Sequence, residues 1–440
     1  MKLYSTKGIS KNVSLKEAVL TGLPSDNGLF LPVNIPKLPA SFFESLDQKS
    51  FTEIAFEVAS ALFDGAVEAP ALKQLIEDAF DFDIPLVELE PNVHVLELFH
   101  GPTFAFKDFG ARFMSRLMAY FLKNTNQEIN ILVATSGDTG SAVGQGFYGV
   151  EGIKVTILYP KGKVSGIQEK QLTTIGGNVT ALEIDGNFDD CQRLVKAAFL
   201  DTELNEKLNL SSANSINIAR LIPQSFYYFY AYGKLKNQGL PVVFSVPSGN
   251  FGNISGGLLA QKMGLPIEHF IASTNVNDIV PTYLATGNFE PKPSKETISN
   301  AMDVGDPSNF PRMLSLFDNK YEKLKNAVSG YAFTDTETKE MMKSTYDYKG
   351  YVMCPHTAVA NLGLKKWVAE NEGAYSGVLL STAHPAKFLD VVEPIINQKV
   401  ELPDRLKSAL DGEKQAISLG SDFEGFKGFL ITNIFSDRIN

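Results

Sequence analysis

Val93 to Lys123 reads VHVLELFHGPTFAFKDFGARFMSRLMAYFLK, and its two halves follow different periodicities. Val93, Val95, Leu96, Leu98 and Phe99 form a nearly continuous apolar run, as a buried strand does. His100-Gly101-Pro102-Thr103 breaks it. Phe106, Phe109, Phe113, Leu117 and Phe121 then recur at helical spacing. Lys107 falls where that helix begins. The positive end of a helix disfavours an ammonium there, and burial beside Phe104 and Phe106 favours the neutral amine. A lysine that sheds its proton easily is a nucleophile able to form a Schiff base. The competing reading is a surface lysine in a first helical turn, screened by Asp108.

Outward from this stretch, strand–loop–helix units repeat. Strands are expected at 131–134, 155–158, 179–184, 242–246, 270–274 and 378–381. Helices are expected at 141–148, 164–175, 189–200, 216–234 and 254–263, with two more around Arg312 and Glu337. This alternation predicts an α/β fold: two open, mostly parallel twisted sheets with helices on both faces. Residues 1–90 read as a helical lobe. Ser14 caps a helix to Leu20, 21–39 is a Gly/Pro-punctuated loop, and helices cover 50–63 and 71–80.

Open α/β sheets hold ligands at the C-terminal ends of their strands, and three loops stand there. Ser248-Gly249-Asn250-Phe251-Gly252-Asn253 reads as a phosphate cup, with backbone N–H groups and a helix N-terminus directed at an anion. It lacks the Gly-Lys-Ser/Thr of a P-loop and the G-x-G-x-x-G spacing of a dinucleotide site. A tight turn with a capping Asn is the alternative. Ser136-Gly137-Asp138-Thr139-Gly140 has the same build and suits a carboxylate or phosphate. Asp138 is expected as a helix N-cap with its charge turned away from the ligand. Ser381-Thr382 ends a buried strand and offers a hydroxyl to a ring nitrogen, or a plain helix cap. Lys161 and Lys163 precede Ser165. Asn214, Asn217 and Arg220 surround the start of a tyrosine-rich helix, where Arg220 can fork onto a phosphate. His100, His356 and His384 are expected to be structural. A helix-N-terminal lysine, a phosphate cup and a strand-end hydroxyl together suit pyridoxal phosphate.

Whole-chain properties narrow the class. At 440 residues, two or three domains are expected. A net charge of −10, with no basic stripe, argues against a nucleic-acid partner. No apolar run approaches membrane-spanning length, and no apolar signal core follows Met1. Two cysteines far apart in sequence argue against a disulfide framework or a thiolate metal site, and five scattered histidines have no metal-ligand spacing, so no metal is expected and a reducing cytoplasm is.

From Tyr4-Ser5-Thr6 through Asp26-Asn27-Gly28-Leu29-Phe30 and His100-Gly101-Pro102-Thr103-Phe104-Ala105-Phe106-Lys107-Asp108 to Ser381-Thr382-Ala383-His384-Pro385, the chain resembles the threonine synthases of the longer form. The likeness covers nearly the whole chain. It implies the tryptophan-synthase β-like fold, fold type II of the pyridoxal-phosphate enzymes. The family's cofactor lysine falls on Lys107, its phosphate cup on Gly249, Asn250, Phe251, Gly252 and Asn253, and its pyridine-nitrogen hydroxyl on Thr382. Its substrate-carboxylate loop falls on Ser136 to Gly140. Related lyases usually carry Asn where this chain has Asp138, whereas the longer synthases resemble this chain there. The implied reaction turns O-phospho-L-homoserine and water into L-threonine and phosphate, by γ-elimination and then β-addition of water. Lys163, Ser165, Asn217 and Arg220 are the candidates for the substrate phosphate. A dehydratase or a phospho-lyase releasing 2-oxobutanoate is the alternative enzyme, and a phosphate-ligand binding module the non-enzymatic one. The expected lobes are 1–90, a cofactor lobe of 91–109 with 211–440, and a mobile lobe of 110–210 that closes on substrate. The expected assembly is a monomer or homodimer.

Overall fold

The N-terminal lobe opens with a small sheet, which the sequence reading did not expect. In a computed structural model that describes residues 1–123 and 125–435, β1 (Lys2–Ser5) pairs antiparallel with both β2 (Val13–Ser14) and β3 (Phe30–Pro32). Position 124 and residues 436–440 of the expected lobes lie outside the described residues. Strands this short carry no readable alternation. The helices of the lobe are present: Leu15–Thr21 with Ser14 as N-cap, Phe51–Phe63 with a Ser50/Glu53 capping box, and Ala69–Ala79.

Two larger sheets follow. β4 (Leu86–Glu90) and β5 (Val93–Glu97) form an antiparallel pair, and β5 continues into a parallel array. β6 (Ile129–Ala134), β7 (Ile153–Pro160), β8 (Val179–Asp185) and β9 (Leu210–Ser212) build the second sheet. β10 (Val242–Pro247), β11 (Ile267–Thr274), β12 (Val328–Ala332) and β13 (Ser376–Ser381) return to the first, and β14 (Ile417–Gly420) completes the second. The orders are β12-β11-β10-β13-β5-β4 and β14-β8-β7-β6-β9. Every pairing in these two sheets is parallel except β4 with β5. β6, β10 and β13 are buried along their whole length, as strands covered on both faces must be.

Three departures from the expected elements have local causes. The helix expected from Ser141 begins at Asp138, so the second half of the glycine loop is its first turn. The expected helix over 216–234 divides into Ile218–Leu221, a 3₁₀ turn Ile222–Ser225 and Phe226–Leu235, because Pro223 has no N–H to continue the ladder. The C-terminal stretch grouped by sequence with the cofactor lobe returns to the five-stranded sheet. There β14 pairs with β8, and Phe426 and Leu430 enter a core with Leu182 and Leu194.

The helix Lys107–Leu122 is anchored by aromatic packing. Phe109 meets Phe51 at 5.7 Å and Phe82 at 5.1 Å, and Phe113 stacks on Phe80 at 6.2 Å and meets Phe226 at 5.7 Å. The N-terminal lobe thereby fixes the helix that carries Lys107. A second tie is Arg312, fully buried, whose guanidinium donates to Phe30 O, Ser215 O, Ile216 O and Asn309 Oδ1. No carboxylate pairs with it among the described residues, and burial lowers its pKa to about 9. Arg312→Met would leave four acceptors unpartnered. It should lower the free energy of unfolding by about 3 kcal/mol or more, read from urea midpoints.

Candidate active site

Three backbone hydrogen bonds, two of which make up one bridge, bring Thr382 to the turn that launches the Lys107 helix. Leu98 N–H donates to Ser381 O at 2.9 Å, Phe106 N–H to Thr382 O at 2.8 Å and His384 N–H to Phe104 O at 3.0 Å, while Ala105 and Ala383 form an antiparallel bridge. Held between these links, Phe104 adopts φ +58°, a left-handed conformation that a bulky side chain rarely takes. Ser381 turns away, its hydroxyl 2.7 Å from that of Thr357. Thr382 is buried, and its hydroxyl makes no hydrogen bond within the described residues.

Lys107 is not a surface residue screened by Asp108. Its side chain is only 17 % exposed and lies 3.8 Å from Asp138 Oδ2. Burial pushes its ammonium below the usual lysine range. Asp138 opposes that shift, and the cations Lys387 and Arg220 add to it. Asp108 turns the other way, accepting from Thr103 N–H at 2.8 Å and Thr103 Oγ1–H at 2.7 Å. Its carboxylate occupies the space a Cβ on Gly101 would need, 2.5 Å from Oδ2, which is why glycine stands there.

Burial raises the Asp108 pKa from 3.8 to about 6, against the two Thr103 bonds that lower it. Folding therefore favours the protonated carboxyl, a contribution present below pH 3.8 and lost as pH rises through about 6. Asp108→Asn removes this dependence. Between pH 4 and 7 the wild type should lose about 2–3 kcal/mol more than the variant, as urea midpoints at the two pH values would report.

Asp138 differs from its expectation. Gly137 occupies the N-cap position, without a side-chain cap bond, and Asp138 opens the helix with its carboxylate facing the lysines. Oδ1 is 2.7 Å from Lys387 Nζ and accepts from Gln168 Nε2 at 2.9 Å. Burial alone would raise its pKa, yet Lys387 and then Lys107 hold it well below the usual carboxylate range. In the same loop Thr135 Oγ1 accepts the N–H groups of Gly137 and Gly140, each at 2.9 Å. The half-buried Ser136 and Thr139 remain to face a ligand.

The cup follows β10. Phe251, at φ +58°, turns the chain into the helix Gly252–Lys262. Asn253 Oδ1 accepts from Tyr227 OH at 2.6 Å and Tyr228 OH at 2.8 Å, which leaves its Nδ2 buried without a partner and free for an anion. The Asn250 side chain is committed, donating to Ser215 Oγ at 2.9 Å and accepting from Ser308 N–H at 2.6 Å. A Cβ on Gly249 would stand 2.6 Å from Met302 Cα, whereas one on Gly252 meets nothing closer than 3.3 Å. Gly249→Ala should therefore weaken cofactor binding about tenfold or more, and Gly252→Ala much less, in equilibrium titrations of the apoprotein.

The second group of candidates divides. Arg220 is buried between the Lys107 helix and the cup helix. A Cβ on Gly110 would come within 2.6 Å of its Nε, and its own carbonyl accepts from Gln224, which packs on Gly256. It donates to Ala213 O, its Nε–H has no partner, and no carboxylate pairs with it among the described residues. Asn217 is an N-cap whose amide is fully used by Val19 O, Ser212 O and Ala219 N–H. Ser165 caps the helix Gly166–Thr173. Lys163 stands at the rim, 57 % exposed and 3.9 Å from Glu296.

Sequence reasoning missed Lys387 and Gln168, and it assigned His356 a structural role only. His384 Nδ1 does accept from Ala386 N–H and His100 pairs with Glu97, but His356 Nε2 is buried without a partner. Burial pushes the His356 pKa down to about 4. The position of Lys387, shortly after Thr382 in a loop bound to the Lys107 turn, was the available signal.

An unpartnered buried amide at a helix N-terminus, a lysine of lowered proton affinity and an unengaged strand-end hydroxyl fit the phosphate, aldehyde and ring nitrogen of pyridoxal phosphate. The comparisons agree. Residues 83–380 match the model of the pyridoxal-phosphate dependent enzymes, 2–80 that of the threonine synthase N terminus and 357–430 that of the threonine synthase C-terminal region. A threonine synthase of Haemophilus influenzae is 45 % identical over 98 % of this chain and 100 % of its own. The crystal structure of threonine synthase from Escherichia coli superposes with a TM-score of 0.92 at 42 % identity, covering 98 % of this chain and 99 % of that one. A threonine synthase from Brucella melitensis, solved with pyridoxal phosphate bound, gives 0.91 at 36 % identity, with 98 % of each chain covered. Matched from end to end by these family models and relatives, the chain belongs to the threonine synthase family of pyridoxal-phosphate-dependent enzymes.

Proposed function

We propose that this enzyme converts O-phospho-L-homoserine and water into L-threonine and phosphate, with Lys107 as covalent anchor of the cofactor and as base. The observation that carries this reading is Arg220, a buried cation with no carboxylate partner among the described residues, beside a site whose cofactor cup is already supplied by Asn253 and the N-terminus of its helix. A simple hydroxy-amino-acid dehydratase needs one anion site for its substrate. A substrate phosphorylated at Cγ needs two.

Pyridoxal phosphate, when bound, supplies the electron sink that lets protons leave Cα and Cβ and phosphate leave Cγ. The chain's own residues do the rest. Lys107 Nζ, kept from holding its proton tightly by burial, takes the proton from Cα. Asp138 orients that amine. The hydroxyls of Ser136 and Thr139 and the free N–H groups of the adjoining turn hold the substrate carboxylate. Thr382 Oγ1 addresses the ring nitrogen, and a hydroxyl there, unlike a carboxylate, leaves the ring less protonated. Arg220 holds the substrate phosphate, with Lys163 and Ser165 at the rim.

Closure of the lobe built on the five-stranded sheet over a substrate charged at both ends would expel water that otherwise diverts the reaction to an oxo acid. No helix among the described residues is long and apolar enough to cross a membrane, and the reading extends to a cytoplasmic enzyme, monomeric or homodimeric. The test gives purified, cofactor-loaded enzyme phosphohomoserine. Threonine and phosphate in equal amounts are expected, and 2-oxobutanoate as the main product would overturn the reading.

A further inference from the structure

Lys387 is fully buried and sits where three elements meet. Its Nζ lies 2.7 Å from Asp138 Oδ1, at the start of a helix following the five-stranded sheet, and donates to Thr103 O at 2.9 Å, in the loop before the Lys107 helix. Thr103 O also accepts from Gln171 Nε2 at 3.3 Å. The backbone carbonyl of Lys387 accepts from Ser165 Oγ at 3.4 Å. One carboxylate is thus shared by two buried lysines, with Oδ1 on Lys387 and Oδ2 toward Lys107. A buried lysine is expensive unless paired, and a lysine needed only for packing would be replaced without loss by an apolar side chain of the same length.

We propose that Lys387 is a positioning residue for the reacting amine: it pins Asp138 so that one oxygen faces Lys107, and it places a fixed second positive charge beside that amine. The proposal rests on the reading of Lys107 as the covalent anchor. Two effects follow from the same contact. The salt bridge occupies half of Asp138, which limits how strongly Asp138 can hold a proton on Lys107. The Lys387 charge repels that proton directly. Together they weaken the hold on the proton of an amine that faces a carboxylate, a hold which that carboxylate alone would strengthen.

The other charged or titratable groups around Lys107 act in known senses. Arg220, from the helix Ile218–Leu221, repels the same proton. Asp108, the next residue on its own helix, is turned to Thr103. His356 and Cys354, at the start of the helix Pro355–Glu370, are neutral near pH 7, since burial lowers the first pKa to about 4 and raises the second.

The experiment is a spectrophotometric pH titration of the protein loaded with pyridoxal phosphate, in which the absorbance band reports the proton on the nitrogen of Lys107. Lys387→Met should move the midpoint alkaline by about one pH unit, and Asp138→Asn should move it in the acid direction. Lys387→Arg, which keeps the charge and the bridge, should titrate as the wild type does. The apoproteins give a second readout that needs no turnover: the pH dependence of the rate at which each captures pyridoxal phosphate should shift in the same directions. Midpoints for Lys387→Met and Asp138→Asn that coincide with wild type would overturn the proposal, as would failure of Lys387→Arg to restore the Met variant. Lys107→Ala separates the two readings. If it still shows the wild-type band, the anchor assignment has failed. If it has lost the band while Lys387→Met titrates normally, only the role of Lys387 has.

Discussion

Lys107→Ala should reduce threonine formation by about 10⁴-fold or more and leave a protein that retains pyridoxal phosphate only by non-covalent contacts. The size of the effect follows from the crowding of roles on one atom. Lys107 Nζ is the amine whose ammonium burial and two neighbouring cations destabilise, and it lies 3.8 Å from a carboxylate that orients it. The cup and Thr382 lie outside the Lys107 side chain, so cofactor should still bind, weakly and reversibly. Steady-state product assays and dialysis of the loaded variant check both halves. Turnover within tenfold of wild type would remove Lys107 from the chemistry.

Arg220→Ala should raise KM for phosphohomoserine by roughly 10²–10³-fold, the loss typical of a buried charge-assisted contact, while cofactor affinity changes little. Among the described residues its buried guanidinium has no carboxylate partner and an unpartnered Nε–H, an arrangement that an incoming phosphate would complete. The variant should also fail to close on substrate, as measured by small-angle scattering or protection from proteolysis. If affinity and closure both survive, Lys163 becomes the next phosphate ligand to test. That outcome would move the phosphate from the floor of the cleft to its rim, since Lys163 is 57 % exposed beside Glu296.

Much of this was legible in the sequence, for reasons that differ by element. The Lys107 helix announced itself because five apolar residues repeat at its period, and two of them, Phe109 and Phe113, pack on Phe51, Phe80 and Phe226. The turn from β10 into the helix Gly252–Lys262 was legible because glycines follow a buried strand, although Gly249, not Gly252, has backbone packed against it. The three-stranded N-terminal sheet was not legible, since strands of two to four residues have no period. The orientation of Asp138 was misread as a cap turned outward, because its partner Lys387 lies far along the chain and nothing local marks the pair. Asn217 was read as a ligand from its place before Arg220, whereas its amide is spent on Val19, Ser212 and Ala219. Local chemistry can be read from spacing. Which of two plausible partners a polar side chain chooses depends on contacts between distant segments.

The most direct test of the account is to reduce the pyridoxal-phosphate-loaded wild-type protein with borohydride, digest it and map the modified peptide. One stoichiometric modification is predicted, on Lys107, in the peptide that contains Phe104-Ala105-Phe106-Lys107-Asp108. A modification on Lys387 or Lys163, or no stable modification, would contradict it.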